Sequence, residues 1–167
     1  MTRRKILRYP DPRLLTVAKP VTRIDDALRR LIDDMTETMY GSGGIGLAAT
    51  QIDVHQRVIV MDVSQKRDQL VVLINPVILA AGGSASHDEG CLSVPGTTIR
   101  VRRPAWIQVQ ALDREGDLFE VRADDWEAVC IQHEIEHLDG IVFTDYLPVA
   151  QQEKLRKQLA TAGNRRR

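Results

Sequence analysis

The sequence predicts an α+β fold in which mainly antiparallel β-sheets pack around a central helix, with one further helix near each end. Three observations carry this. A helical apolar period runs through residues 24–39, several β-rich apolar runs follow it, and a second and third helical pattern close the chain. The order helix, strands, helix, helix places the strands consecutively, which favours antiparallel pairing over βαβ crossovers.

The elements follow in order. "YPDPRLLTVAKPV" is punctuated by proline and reads as extended or looped chain. Ile24, Leu28, Leu31, Ile32, Met35 and Met39 then recur at helical spacing; Asp25 or Asp26 can cap the start and Gly41 can end it. The methionines on this stripe read as core packing. "RVIVMDV" and "QLVVLINPVILA" are apolar strands, and "TTIRVRRPAWIQVQALD" with "LFEVRAD" flank "REG" as a hairpin with a glycine turn. "DDWEAVCIQHEIEHLDG" reads as a helix, with Asp124 and Glu127 spaced as a capping box and Gly140 as its stop. "PVAQQEKLRKQLATAG" is a last amphipathic helix and "NRRR" a basic tail. Residues 1–148 are expected to form one catalytic domain, with 149–167 attached as helix and tail.

Composition narrows the function. Lys+Arg and Asp+Glu balance at 23 each, so net charge points to neither DNA nor membrane as a partner. Only 4% of residues are aromatic, so the core must be mostly aliphatic. The two cysteines, Cys91 and Cys130, are too few for a disulfide scaffold. No run approaches the roughly 20 apolar residues of a membrane span, and the first residues do not read as a secretory signal. A cytoplasmic protein with reduced thiols is expected.

Chemistry concentrates in "QHEIEH". On a helix His133 and His137 lie one turn apart on one face, where two imidazoles can reach a single metal, with Glu134 beside them. A third ligand is needed. Cys130 shares the face, but it lies two turns, about 10 Å, from His137, whereas ligands bind at about 2.0–2.3 Å. Glu153 on the last helix is the acid a zinc endopeptidase would use, and no histidine follows His137 to make the extended three-histidine pattern. Cys91, between Gly90 and Leu92 in a loop entering a strand, could project freely, but by itself that stretch reads more readily as an ordinary buried cysteine. His87 is a lone histidine that reads as surface. "GSGGIGLAATQ" loosely matches a dinucleotide fingerprint, but a helical pattern precedes it where a strand is required. A structural metal site in a non-enzymatic binding module is a further reading of the same residues.

"GIGLAATQ", "EGCLS" and "QHEIEH", in this order and at these separations, resemble the three signature motifs of peptide deformylase, and the resemblance runs from about Arg8 to Pro148. It implies metal ligation by Cys91, His133 and His137 with a water in the fourth position. It implies Glu134 as general base and acid, and Gln51 with the backbone N–H of Leu92 as oxyanion donors. The implied reaction is hydrolysis of the N-formyl group from nascent chains that begin with formylmethionine, releasing formate. Thiolate and imidazole suit zinc. The resemblance implies Fe(II) in cells, with Ni, Co or Zn able to substitute. By the same matching Gly44, Ile45, Gly46, Glu89 and Gly90 edge the substrate, and Trp126 and Val129 line the methionine pocket with Ile45. Glu89 can instead hydrogen-bond the site. Two positions depart from the family pattern: Glu136 stands where Asp is usual, and Thr97 and Thr98 stand where relatives often place a bulkier or basic residue. Glu136 points away from the metal face, so orientation or helix support is expected of it. Lys154, Arg156, Lys157 and Arg165 to Arg167 read by themselves as a solvated face and a frayed end; the resemblance permits docking at the ribosome near the exit tunnel.

Overall fold

The structure is a computed structural model and describes residues 1–164. The N-terminal helix α1 spans Asp26–Gly41 and is capped by Asp25, whose carboxylate accepts the N–H of Leu28 at 2.9 Å. Leu28, Leu31, Ile32, Met35 and Met39 are buried along one face, so the methionines are core. Strands β1 (Gly46–Ala48), β2 (Val58–Met61), β3 (Val71–Gly82), β6 (Trp106–Leu112) and β7 (Leu118–Asp124) form one antiparallel sheet in the order β1-β2-β3-β6-β7. β4 (Ala85–Glu89) and β5 (Ile99–Arg103) form a separate two-stranded ladder.

The central helix α2, Asp125–Leu138, crosses one face of the large sheet, and α1 covers the other. This explains why "VIVM" is apolar without alternation. Ile59 and Met61 pack with Ala128 and Ile131 of α2, while Val58 and Val60 pack with Met35 and Met39 of α1. A third cluster, with Val94, Ile99, Val101 and Phe143, lies beneath the β4–β5 ladder and takes Leu155 of the last helix α3, Val149–Asn164.

Four features differ from the sequence expectation. The run 97–113 divides at Pro104, which has no N–H to donate to a ladder; β5 pairs with β4 and only β6 forms the hairpin with β7, through a turn with Gly116 at φ 89°. β1 and β4 carry no apolar strand signature, being respectively three residues long and largely polar. Cys91 therefore leaves a strand, β4, rather than entering one. The capping box is absent: Asp124 is still the last residue of β7, its side chain makes no cap hydrogen bond, and Asp125 enters the helix with φ 48°. The other end of α2 follows expectation. Gly140 takes φ 75°, and a Cβ there would lie 2.5 Å from the carbonyl of Leu15. The carbonyl of Leu138 accepts the N–H of Ala18 at 2.8 Å and Arg57 Nη1 at 3.2 Å, which fixes the last turn of α2.

Candidate metal centre

α2 carries His133 and His137 on one face, and the turn after β4 brings Cys91 to them. The ligand atoms of Cys91, His133 and His137 all lie within 4.8 Å of one another, and Cys91 Sγ stands 3.3 Å from His137 Nε2. His133 offers its other nitrogen, Nδ1, to Glu89 Oε1 at 3.0 Å, which fixes the ring and turns Nε2 toward Cys91 and His137. Its ring also meets His137 and Phe143 edge-on, with centroids at 5.0 and 5.4 Å. Cys130 is buried, with Sγ 3.6 Å from the carbonyl oxygen of Ile45, and is not part of this group. Glu153 is exposed on α3 and is not part of it either, and His87 packs its ring on Trp126 at 5.0 Å.

The electrostatics suit a cation. Burial pulls the His133 imidazolium down, but its hydrogen bonds to Cys91 and Glu89 outweigh this and hold it well above the usual histidine range; negative charge faces this position. Burial, with His133 and Arg103 nearby, pushes His137 well down, into the neutral form that ligates. Glu134 is 4% exposed, its Oε2 has no hydrogen-bond partner, and burial pushes its carboxyl up to about 7. A cysteine sulfur, two imidazoles and a neighbouring carboxyl with one unpartnered oxygen fit a divalent metal with a polar species beside it.

The surroundings are specific. Gln51 Oε1 accepts the N–H of Ala48 at 2.9 Å, so its amide N–H groups point the other way, to Ser93 Oγ at 3.1 Å and toward Cys91 Sγ at 3.8 Å. The N–H of Val94 bonds the carbonyl of Cys91 at 2.9 Å, which puts Leu92 at the first central position of a turn, where its N–H is not used by the turn's own ring. Gly44, Ile45, Gly46, Glu89, Gly90, Trp126 and Val129 line one cavity of about 470 Å³ together with Cys91, His133 and Glu134. Gly46 lies hard against the floor: a Cβ there would sit 2.6 Å from Cys130 Sγ and 2.8 Å from Glu134 Oε1. Trp126 stands at the rim, 45% exposed, and Val129 is buried.

One group behind the site carries no motif. Arg103, its side chain 3% exposed, donates Nε to Glu89 Oε2 at 2.7 Å and Nη2 to Glu89 Oε1 at 2.9 Å. It donates Nη1 to Glu136 at 2.8 Å, and Tyr146 OH also donates to Glu136. Burial pulls the Arg103 guanidinium down, but the two carboxylates hold its pKa above the usual arginine value. Burial likewise raises Glu89, but His133 and Arg103 hold its carboxyl below the usual range. Both oxygens of Glu89 are thus engaged inward, and Glu136 supports the helix from its far face. The strand pattern holds the one available signal: Ile99, Val101 and Arg103 share a face, so an arginine occupies a buried position.

The family model described as polypeptide deformylase matches residues 3–153. A curated peptide deformylase of Cellvibrio japonicus is 54% identical over 155 residues, covering 92% of each chain. Among solved structures, a peptide deformylase from Legionella pneumophila is 41% identical, with TM-score 0.94, covering 99% of this chain and 98% of its own. One from Ehrlichia chaffeensis in complex with actinonin is 37% identical, with TM-score 0.94, covering 97% and 98%.

Proposed function

The chain belongs to the polypeptide deformylase family, and from that membership we infer that it is a metal-dependent hydrolase that removes the N-formyl group from nascent chains beginning with formylmethionine. The observation that carries the reading is the convergence of Cys91, His133 and His137 beneath a cavity that Glu134, with one buried and unpartnered carboxyl oxygen, also lines.

Cys91 Sγ, His133 Nε2 and His137 Nε2 are the proposed ligands. A divalent cation bound there supplies Lewis acidity and shifts the ionisation of water toward neutral pH. Fe(II) is the proposed cellular metal, with Zn, Ni or Co able to substitute. Glu134 takes a proton from the water that adds to the formyl carbon. It then delivers that proton to the amine as the carbon–nitrogen bond breaks, releasing formate and a free methionine amine. The amide N–H of Gln51 and the backbone N–H of Leu92 meet the charge that develops on the formyl oxygen.

β1 is one edge of the five-stranded sheet. The N–H of Asp62 bonds the carbonyl of Ile45 at 2.8 Å, so in an antiparallel ladder Ile45 and Leu47 face β2 and Gly46 faces outward. A peptide laid beside Gly46 would extend the sheet by one strand, with Gly44 and Ile45 as wall and Gly90 on the opposite side. The methionine side chain then meets Ile45, Val129 and Trp126. Glu89 serves the site through His133, and Thr97 and Thr98, next to the cavity-lining Gly96, are placed to influence later residues of the peptide.

Residues 1–148 act as one catalytic unit, to which 149–167 are appended. α3 buries Leu155 and exposes Lys154, Arg156 and Lys157, so a basic face is available for docking at the ribosome near the exit tunnel; Arg165 to Arg167 lie outside the described residues. No described helix is long and apolar enough to cross a membrane, and a cytoplasmic location suits a nascent-chain substrate. Substituting Glu for Lys154, Arg156 and Lys157 is expected to weaken ribosome binding and spare activity on short peptides; unchanged ribosome binding refutes the docking role.

The deciding experiment is formate release from a formyl-Met peptide by anaerobically purified protein, with metal analysis of the same sample. No formate with any divalent metal rejects the function. Cys91→Ala is expected to abolish metal uptake; retained uptake refutes the ligand role of Cys91.

A further inference from the structure

The wall of the cavity that a peptide would pair with, residues 43–46, is rich in glycine and held from behind by a loop whose sequence carries no motif. Asp62, fully buried at the end of β2, bonds backbone and side chains of three segments. Its N–H donates to Ile45 at 2.8 Å, one carboxylate oxygen accepts Ser64 Oγ at 2.6 Å, and the other accepts Tyr40 OH at 2.6 Å and the N–H of Gln69 at 3.1 Å. The loop 63–70 folds back over this anchor. At its apex Arg67 takes φ 58°, a left-handed backbone that strains a non-glycine residue. Its guanidinium donates Nη2 to the carbonyl of Gly44 at 2.6 Å and Nη1 to the carbonyl of Asp62 at 3.2 Å, and lies 5.6 Å from the centre of the Tyr40 ring.

The direction of the substrate strand follows from the same wall. Gly46 touches Glu134, so the reacting end of the peptide lies there. Beyond Gly46 the edge is closed, because Gln51 Oε1 takes the N–H of Ala48. The cavity is lined instead by Gly43, Gly44, Ile45 and Gly46. The peptide therefore leaves toward Gly44, roughly two strand residues or about 7 Å from Gly46. Residues beyond the methionine lie against the carbonyl-bearing segment that Arg67 holds.

We propose that Arg67, with its loop anchored on Asp62, is a positioning residue that fixes the Gly44 segment as the docking edge for the part of the peptide that follows the formylmethionine. The proposal rests on the deformylase reading. The N–H of Gly44 already bonds the carbonyl of Met39 at 3.0 Å, and the charge-assisted hydrogen bond from Arg67 fixes the other side of the same residue, so the segment is ordered before a peptide meets it.

The test uses metal-loaded protein and two substrates, formyl-Met-Ala and formyl-Met-Ala-Ser-Ala. Arg67→Gly removes the guanidinium while suiting the left-handed backbone, so the loop fold is kept. The expected result is a KM for the longer peptide raised about tenfold, the size of one charge-assisted hydrogen bond. KM for the dipeptide should change less than about twofold, and kcat should stay the same for both. Arg67→Lys, with the charge but not the fork, should fall between. Equal changes in KM for both peptides, no change for either, or a loss confined to kcat overturns the clamp. No turnover of either peptide by the parent protein overturns the functional reading beneath it.

Discussion

Replacing Arg103 by Met should destabilise the protein more than any other single loss of a charge. The guanidinium is 3% exposed and the Glu89 carboxylate it holds is 2% exposed, while Glu136 is 20% exposed and can turn toward solvent. Removing one partner of a buried ion pair costs about 3–5 kcal/mol, because the other is left charged without compensation. Since Glu136 can relax, we expect about 3 kcal/mol, with Glu89 carrying most of it. For a chain of this size 1 kcal/mol moves the melting temperature by about 2–4 °C, so the fall should be about 6–12 °C. The assay is thermal unfolding of the metal-loaded protein at pH 7.5 by circular dichroism. A fall under about 2 °C refutes the reasoning. The double variant Arg103→Met/Glu89→Gln should recover part of the loss, because no buried carboxylate is then stranded. Arg103→Met should also lose metal to a chelator about tenfold faster, since Glu89 no longer holds His133 in one orientation.

Three further outcomes follow. Glu134→Gln should keep its metal and its fold while formate release falls about 10²–10⁴-fold, measured as kcat on a formyl-Met peptide. Gly46→Ala forces a Cβ against Cys130 Sγ and Glu134 Oε1, both buried, so stability should fall by about 1–3 kcal/mol and activity by more than tenfold; adding Cys130→Ala should return part of the stability. For Asp62, burial would raise the carboxyl, but hydrogen bonds from Ser64, Tyr40 and the N–H of Gln69 hold it at about 2, against an ordinary 3.8. Because the folded value is the lower one, its stabilisation is present above pH 3.8 and drains as the pH falls through 2. Asp62→Asn should therefore lower the melting temperature at pH 7 and flatten its acid slope between pH 5 and 2.

The parts of this molecule that were readable in the sequence are those whose signal is local. α1 announces itself by a six-residue apolar period and an aspartate cap, and α2 by two histidines one turn apart. Cys91 is different. Its own stretch reads more readily as a buried cysteine, and nothing local brings it to His137; only the set of three motifs identified it. β1 and β4 escaped because a three-residue strand has too few positions to alternate, and "ASHDE" is held by its pairing with β5 rather than by apolar content. The break at Pro104 was readable in principle, since a proline inside a strand run denies the ladder a donor. Arg103 was visible only as an arginine on the apolar face of an alternating strand, and the distances give it meaning. Arg67 left no trace at all, because its hydrogen-bond partners are backbone carbonyls.

The two edges of the large sheet pose the same hazard, a row of backbone groups that another chain could extend without limit. They meet it differently. β7 sets Glu120, Arg122 and Asp124 at alternate positions, so a second copy laid alongside would bring charge against charge. β1 has no charged residue and three positions in all. An edge that short can accept one extended strand but cannot template a growing fibre. Under the proposed strand-like docking of the substrate on β1, the receptive backbone is thus kept too brief to aggregate.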